Sequence, residues 1–455
     1  MARKKRRRLK KGVRRGCLGI LMTILLFVMF SVYECRRDRT ERELPVVVPQ
    51  DTLPDKTDSL LALRLDEVLG RTPRTDSAKV GMCVYDLTRR CPVYAHRATG
   101  LMTPASCMKL LTAVCALKRL GAAHQYENSL YVKGTVRGGT LCGYVLVAMD
   151  DDPLVESFED FALALRRMGI ERILGDIHFD LARRDTLRPH PTASLWDIPY
   201  NSLPLLMRGE RRVEQDFRGA LQAASIAFSR SVLFGHTWLE GMDRTKQPQE
   251  YDVALKDARL GARLVRRQTH ELREVLAPML IYSSNIKAEA VRYHTDHYTD
   301  RWGGGQAENG HAMKAFLHEE MPWTLTDGLV VNDGSGLSPQ NRLTPKFLTR
   351  LLVYVYDNPE IWSVMVDELL ATPNDPVRAG SLYGRMTEPY FNGRVFAKTG
   401  TLTTAGVSSL SGYCLSDGGR WYAFSIIGED TPVAESRLLQ DALCRVMVRT
   451  GNVPE

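Results

Sequence analysis

Eighteen residues pass without a charge between Gly16 and Tyr33, most of them Leu, Ile, Met, Val or Phe. As a helix this run is about 27 Å long, enough to cross the hydrocarbon core of a bilayer. Lys and Arg crowd the residues before it, and Asp and Glu enter only after it, which predicts a cytoplasmic N-terminus and an exported body. Val32-Tyr33-Glu34-Cys35 offers no pair of small residues to a signal peptidase. That favours an uncleaved anchor over a cleaved leader, and argues against lipoprotein processing at Cys35.

Residues 34–58 are charged and carry Pro45, Pro49 and Pro54, the pattern of a tether. The amphipathic Leu60–Leu69 then opens the ordered chain, and apolar-rich stretches at 79–87 and 91–95 flank Thr88-Arg89-Arg90 as a hairpin. A helix is predicted from Pro104 to Leu120, stopped by Gly121. Short strands at 130–132 and 141–148, a helix at 158–168 and a strand at 172–180 follow, then irregular polar sequence with the aromatic cluster Trp196–Tyr200. We read 125–255 as an inserted domain. From about 258 the pattern is helical through Ala290, loop-rich to about 310, and helical again at 311–318. Strands at 393–398, 408–415 and 421–428 and a helix at 434–450 close the chain. The main domain is thus expected from both chain ends, 59–124 and 256–455.

The 455 residues leave room for two or three domains, and 44% hydrophobic with 25% charged residues is ordinary for a globular chain. The net charge of +8 is more than accounted for by ten Lys/Arg in residues 1–15, so the remainder is slightly acidic and no nucleic-acid surface is implied. Nine cysteines follow no disulfide or zinc spacing, and Cys83, Cys107, Cys115, Cys142, Cys414 and Cys444 sit in apolar runs that predict buried thiols. Arg292–His297 and His311 read as a solvated loop rather than metal ligands, Asp150–Asp152 as an acidic turn, and Gly303–Gly305 lacks the Lys of a phosphate loop. No metal or cofactor is expected.

Three short motifs carry chemistry. In Ser106-Cys107-Met108-Lys109 the hydroxyl and amine lie three residues apart, on one face of a helix start. A buried Lys can act as the base that a serine nucleophile needs. Alone this pair arises by chance, and Ser284-Asn285-Ile286-Lys287 is a decoy. Ser283-Ser284-Asn285 places a hydroxyl and a carboxamide two residues apart, which alone reads as a turn or cap. Lys398-Thr399-Gly400 ends an apolar strand, where a cation, a hydroxyl and a bare backbone can cradle a peptide and its carboxylate. Read alone, it is a protected edge strand. The order Ser-x-x-Lys, Ser-x-Asn, Lys-Thr-Gly is the set shared by penicillin-binding proteins and class A β-lactamases.

With these motifs the chain resembles the D-alanyl-D-alanine carboxypeptidase/endopeptidase family, the class C penicillin-binding proteins. Asp333-Gly334-Ser335-Gly336-Leu337-Ser338 with Asn341–Pro345 resembles a signature of that family, and Asp151–Leu154 with Gly175–Ile177 resembles its insert. Ser284 stands where the family often has Asp. The resemblance implies an α/β fold of the penicillin-binding and serine β-lactamase kind: an antiparallel sheet flanked by helices, a helical lobe, and an inserted mixed α/β domain. It implies Ser106 as acylated nucleophile, Lys109 as base and Ser283 as proton carrier. Asn285 would hold the substrate amide, Lys398 would set the electrostatics, and Thr399 with Thr401 would bind the terminal carboxylate beside Gly400. Backbone N–H groups of Ser106 and Thr401 would form the oxyanion hole. The expected partners are peptidoglycan stem peptides and β-lactams, with membrane contact through the N-terminal helix of a bacterial inner-membrane protein whose body is periplasmic. A β-lactamase and a non-catalytic wall-binding scaffold are the rivals. Oligomeric state has no sequence signature here.

Overall fold

The computed structural model describes residues 60–71, 79–181, 187–188, 190–193, 203–235, 261–303 and 310–450. The basic tail, the span at 16–33, the tether and Trp196–Tyr200 lie outside them. Among the described residues no helix is long and apolar enough to cross a membrane.

In chain order, α1 (Leu60–Arg71), β1 (Val80–Asp86) and β2 (Cys91–His96) precede α2 (Met108–Leu120). Next come β3 (Gln125–Arg137), β4 (Thr140–Met149), α3 (Glu159–Arg167), β5 (Arg172–Ile173) and β6 (Ile177–Leu181). They are followed by α4 (Glu210–Ala223), β7 (Ala227–Phe228), β8 (Val232–Gly235) and β9 (Arg263–Glu271). Then α5 (Leu272–Leu280), α6 (Asn285–Gly303), α7 (His311–Glu320) and α8 (Pro345–Tyr356) build a helical lobe with α2. The chain ends on β10 (Val395–Leu402), β11 (Val407–Leu415), β12 (Trp421–Gly428) and α9 (Val433–Val448).

The first sheet has the order β10-β11-β12-β1-β2 and is antiparallel throughout. Both chain ends meet in it, with β1 paired to β12 from Val80↔Gly428 to Asp86↔Tyr422. Strand alternation splits its side chains between two cores. Tyr422, Phe424 and Ile426 pack with Leu65 of α1 and Leu443 of α9, whereas Ala423 and Ile427 join the helical lobe. The second sheet contains β3–β9; β3 and β4 form a hairpin closed by Gly138 and Gly139 at φ 51° and 74°. A two-residue turn with both φ positive suits glycine at both positions. Its core holds Phe158, Phe179 and Phe217 in edge-to-face contact.

Several expectations change. Residues 263–271 are not helical: β9 pairs with β3 from Gln125↔Glu271 to Val132↔Arg263, so the second sheet closes later in the chain than 255. Its Arg263, Arg266, Arg267 and His270 suit a half-exposed edge strand, and pairing overrides a weak local pattern. Arg292–His297 lies within α6 and not in a loop. The strand expected at 172–180 is two short strands, β5 and β6. Cys142 is exposed on β4, while Cys83, Cys107, Cys115, Cys414 and Cys444 are buried free thiols as expected.

Candidate active site

The chain reaches Ser106 through a strained turn. Ala105 takes φ 46°, in the left-handed region that a side chain disfavours, and a 3₁₀ turn over Ala105–Cys107 leads into α2. Two hydrogen bonds fix this turn. The Ser409 hydroxyl of β11 donates to the Pro104 carbonyl at 2.7 Å, and the Cys107 thiol donates to the Lys398 carbonyl at 3.2 Å. Two glycines press against it. A Cβ on Gly400 would stand 2.9 Å from the Ser106 nitrogen, and one on Gly336, at φ 82°, would stand 1.8 Å from the Ala105 oxygen. Gly336→Ala must therefore move the Ser106 turn. It is expected to cost about 1–3 kcal/mol of stability, read as a lower midpoint in denaturant.

Lys109 lies one helical turn on and is completely buried, while Ser106 is half-buried. The Lys109 Nζ is 2.8 Å from Ser106 Oγ, 2.7 Å from Asn285 Oδ1 and 2.6 Å from the Ser335 carbonyl. The amine donates to the Asn285 and Ser335 oxygens; in its neutral form its lone pair is left to accept from the Ser106 hydroxyl, and in its charged form it donates to that oxygen as well. Burial, and then the positive charge of Lys398, holds the Lys109 amine well below its ordinary pKa. Such a pair can take an acyl group on Ser106 and return it to water.

Asn285 is the first residue of α6, and Ser283 precedes it between α5 and α6 with φ 64°. The decoy is separate: Ser284 Oγ accepts from the Lys287 backbone N–H at 3.3 Å, and the Lys287 amine donates to the Pro153 carbonyl. Lys398, Thr399, Gly400 and Thr401 lie on β10, the edge strand of the first sheet. Lys398 is completely buried and its Nζ donates to the Thr399 carbonyl at 2.9 Å; burial lowers its pKa to about 8. Thr401 Oγ1 accepts from Arg437 of α9 at 3.2 Å. Asp333 accepts from the N–H groups of Gly336 and Ser338 and from the Asn341 amide, which shapes the Gly334–Ser335–Gly336 loop.

The structure thus joins Ser106, Lys109, Asn285 and the Ser335 carbonyl directly, and it stacks β10 against the Ser106 turn. Ser409, Arg437 and Glu289 also border the site, and none belongs to a motif. The acidic turn is structural: Asp152 accepts from Asn128 and Leu154, and His294, on α6, contacts Asp151 and His124. No cluster of three potential metal ligands occurs among the described residues.

A serine beside a buried lysine of lowered pKa, with an amide-bearing helix start and a Lys-Thr-Gly edge strand, defines the penicillin-recognising class of serine acyl-transfer enzymes. Residues 61–198 and 249–449 match the D-Ala-D-Ala carboxypeptidase 3 (S13) family. The chain belongs to that family, and it is a serine-type D-Ala-D-Ala peptidase. It is similar to the D-alanyl-D-alanine carboxypeptidase of Actinomadura sp. (strain R39), 26% identical over 83% of this chain and 82% of that one. Penicillin binding protein 4 (dacB) from Haemophilus influenzae has the same fold, with TM-score 0.64 and 18% identity over 83% of this chain and 97% of that one. The same protein in complex with a β-lactam gives TM-score 0.60 and 19% identity over 84% and 98%.

Proposed function

We propose that Ser106 Oγ attacks the carbonyl between the two D-alanines of a peptidoglycan stem peptide while Lys109 takes its proton. Ser283 relays that proton from the Lys109 ammonium to the leaving amine, so the C–N bond breaks, D-Ala or a cross-linking amine departs, and Lys109 is neutral again. Water then attacks the ester under the same base, releasing the peptide and restoring the hydroxyl. The N–H groups of Ser106 and Thr401 stabilise the oxyanion, Asn285 holds the substrate amide, and Lys398 with Thr399 and Thr401 receives the terminal carboxylate. β-Lactams acylate the same serine. The observation that carries this reading is the 2.8 Å approach of the buried Lys109 amine to the Ser106 hydroxyl, with Asn285 at 2.7 Å. The test is labelled penicillin: a stable label lost in Ser106→Ala and kept in Ser284→Ala supports it. Rapid drug turnover contradicts it in favour of a β-lactamase, and no labelling at all contradicts it in favour of a scaffold.

Lys398 adds a pH signature. Below about 8 its amine is charged and attracts the substrate carboxylate; above that value the charge is lost. The pH profile of kcat/KM is expected to fall on the alkaline side near pH 8, and Lys398→Ala is expected to abolish that limb while lowering kcat/KM throughout.

Our reading of location rests on residues 1–33 alone: a basic cytoplasmic tail, one span in a bacterial inner membrane, and the enzyme in the periplasm. Full-length protein is expected in the membrane fraction after alkaline extraction, and protein lacking residues 1–33 in the soluble one. Alkaline release of the full-length chain contradicts the anchor.

A further inference from the structure

Glu289 sits one turn beyond Asn285 on α6 and is buried, 1% exposed. Its Oε1 accepts from the backbone N–H groups of Gly334 at 3.0 Å and Ser335 at 2.8 Å; its Oε2 accepts from Arg292 at 3.1 Å. The carbonyls of the same two residues point the other way. The Gly334 carbonyl accepts from Thr112 at 2.6 Å, the Ser335 carbonyl accepts from Lys109 at 2.6 Å, and Gly336 abuts the Ala105 carbonyl.

We infer that Glu289 is the positioning residue of this site: its carboxylate clamps the Gly334–Ser335 peptides, so that one loop aims the Lys109 amine and braces the Ser106 turn. The inference rests on the roles given to Ser106 and Lys109 above. A carboxylate holding two adjacent peptide N–H groups makes charge-assisted bonds that a neutral residue makes more weakly. Glu289 never touches substrate; it acts through the loop. Its charge also acts on Lys109. Besides burial, the titratable groups facing that amine are Lys398 from β10, which lowers its pKa, and Asp333 from the loop, Glu289 from α6 and Cys107 from the turn before α2, which raise it. Arg292 and Asp296, also on α6, form ion pairs behind Glu289, Arg292 contacting both carboxylates. Removing the charge of Glu289 lowers the Lys109 pKa further. The base then stays neutral to more acidic pH, so the acidic limb of acylation moves down. Asp333 becomes easier to ionise in the same variant, because Glu289's charge contributes to raising its pKa. It already accepts three hydrogen bonds, so this trims the shift without reversing it.

The experiment measures the rate of penicillin acylation against pH for the full-length wild type, Glu289→Gln and Glu289→Ala, with active sites counted by label. Glu289→Ala is expected to slow acylation about 10²-fold, because the loop loses its clamp. Glu289→Gln keeps an acceptor oxygen and is expected to recover at least tenfold of that, with an acidic limb about one pH unit lower. A Gln variant with an unmoved limb and the wild-type rate overturns the inference, even if both variants are less stable. A wild type that penicillin does not label overturns the inference together with the assignment of Ser106. A labelled wild type beside indifferent Glu289 variants overturns the inference alone.

Discussion

Ser106→Ala is expected to lower hydrolysis of a D-Ala-D-Ala-terminated peptide by about 10⁵–10⁶-fold, to the level set by binding and the oxyanion hole alone. The loss is chemical. The hydroxyl is half-buried, and its only partner among the described contacts is the Lys109 amine, so its removal leaves the folds of both lobes as they were. Release of D-Ala from the peptide measures the effect, and an unchanged thermal midpoint separates it from unfolding. Residual activity within a hundredfold of wild type would mean that another group attacks.

Lys109→Ala removes the base and the hub of three contacts at once. General-base catalysis contributes about 10²–10⁴-fold, and kcat/KM is expected to fall by at least that much. The Asn285 Oδ1 and the Ser335 carbonyl both lose a donor, so the variant is also expected to lose about 1–3 kcal/mol of stability. Lys109→Arg offers no rescue, because a guanidinium stays charged and cannot accept the proton of Ser106. A Lys109→Ala enzyme within tenfold of wild type in kcat/KM contradicts the role given to this amine.

The groups to which we assign the chemistry could be picked out from the chain because each motif is short and its members are held by local geometry. Ser106 and Lys109 meet across a single helical turn, and Lys398 to Thr401 share one strand. The neighbours that complete the site could not be read this way. Glu289 resembles any helical glutamate until the Gly334–Ser335 peptides are placed on it, and Ser409 is one of several strand serines until Pro104 meets it. Arg437, on α9, reaches Thr401 only after the last strands fold back. In the fold, the strands at 408–415 and 421–428 were legible, and the helix ending at Leu120 stops before Gly121 as expected. The β9 strand was missed because its Arg-rich edge has no apolar face of its own; its position depends on the register with β3. The helix through 292–297 was missed for the opposite reason, since polar histidines and arginines there are covered by Asp151 and His124 from elsewhere and by Glu289 on the same helix.

The proposed activity turns on one covalent event at one hydroxyl. The most direct measurement is peptide mapping by mass spectrometry of the protein after a brief exposure to penicillin. An intact penicilloyl group on the peptide carrying Ser106, present in Ser284→Ala and missing from Ser106→Ala, is the predicted result. An adduct on any other residue, or a persistent adduct in Ser106→Ala, contradicts it.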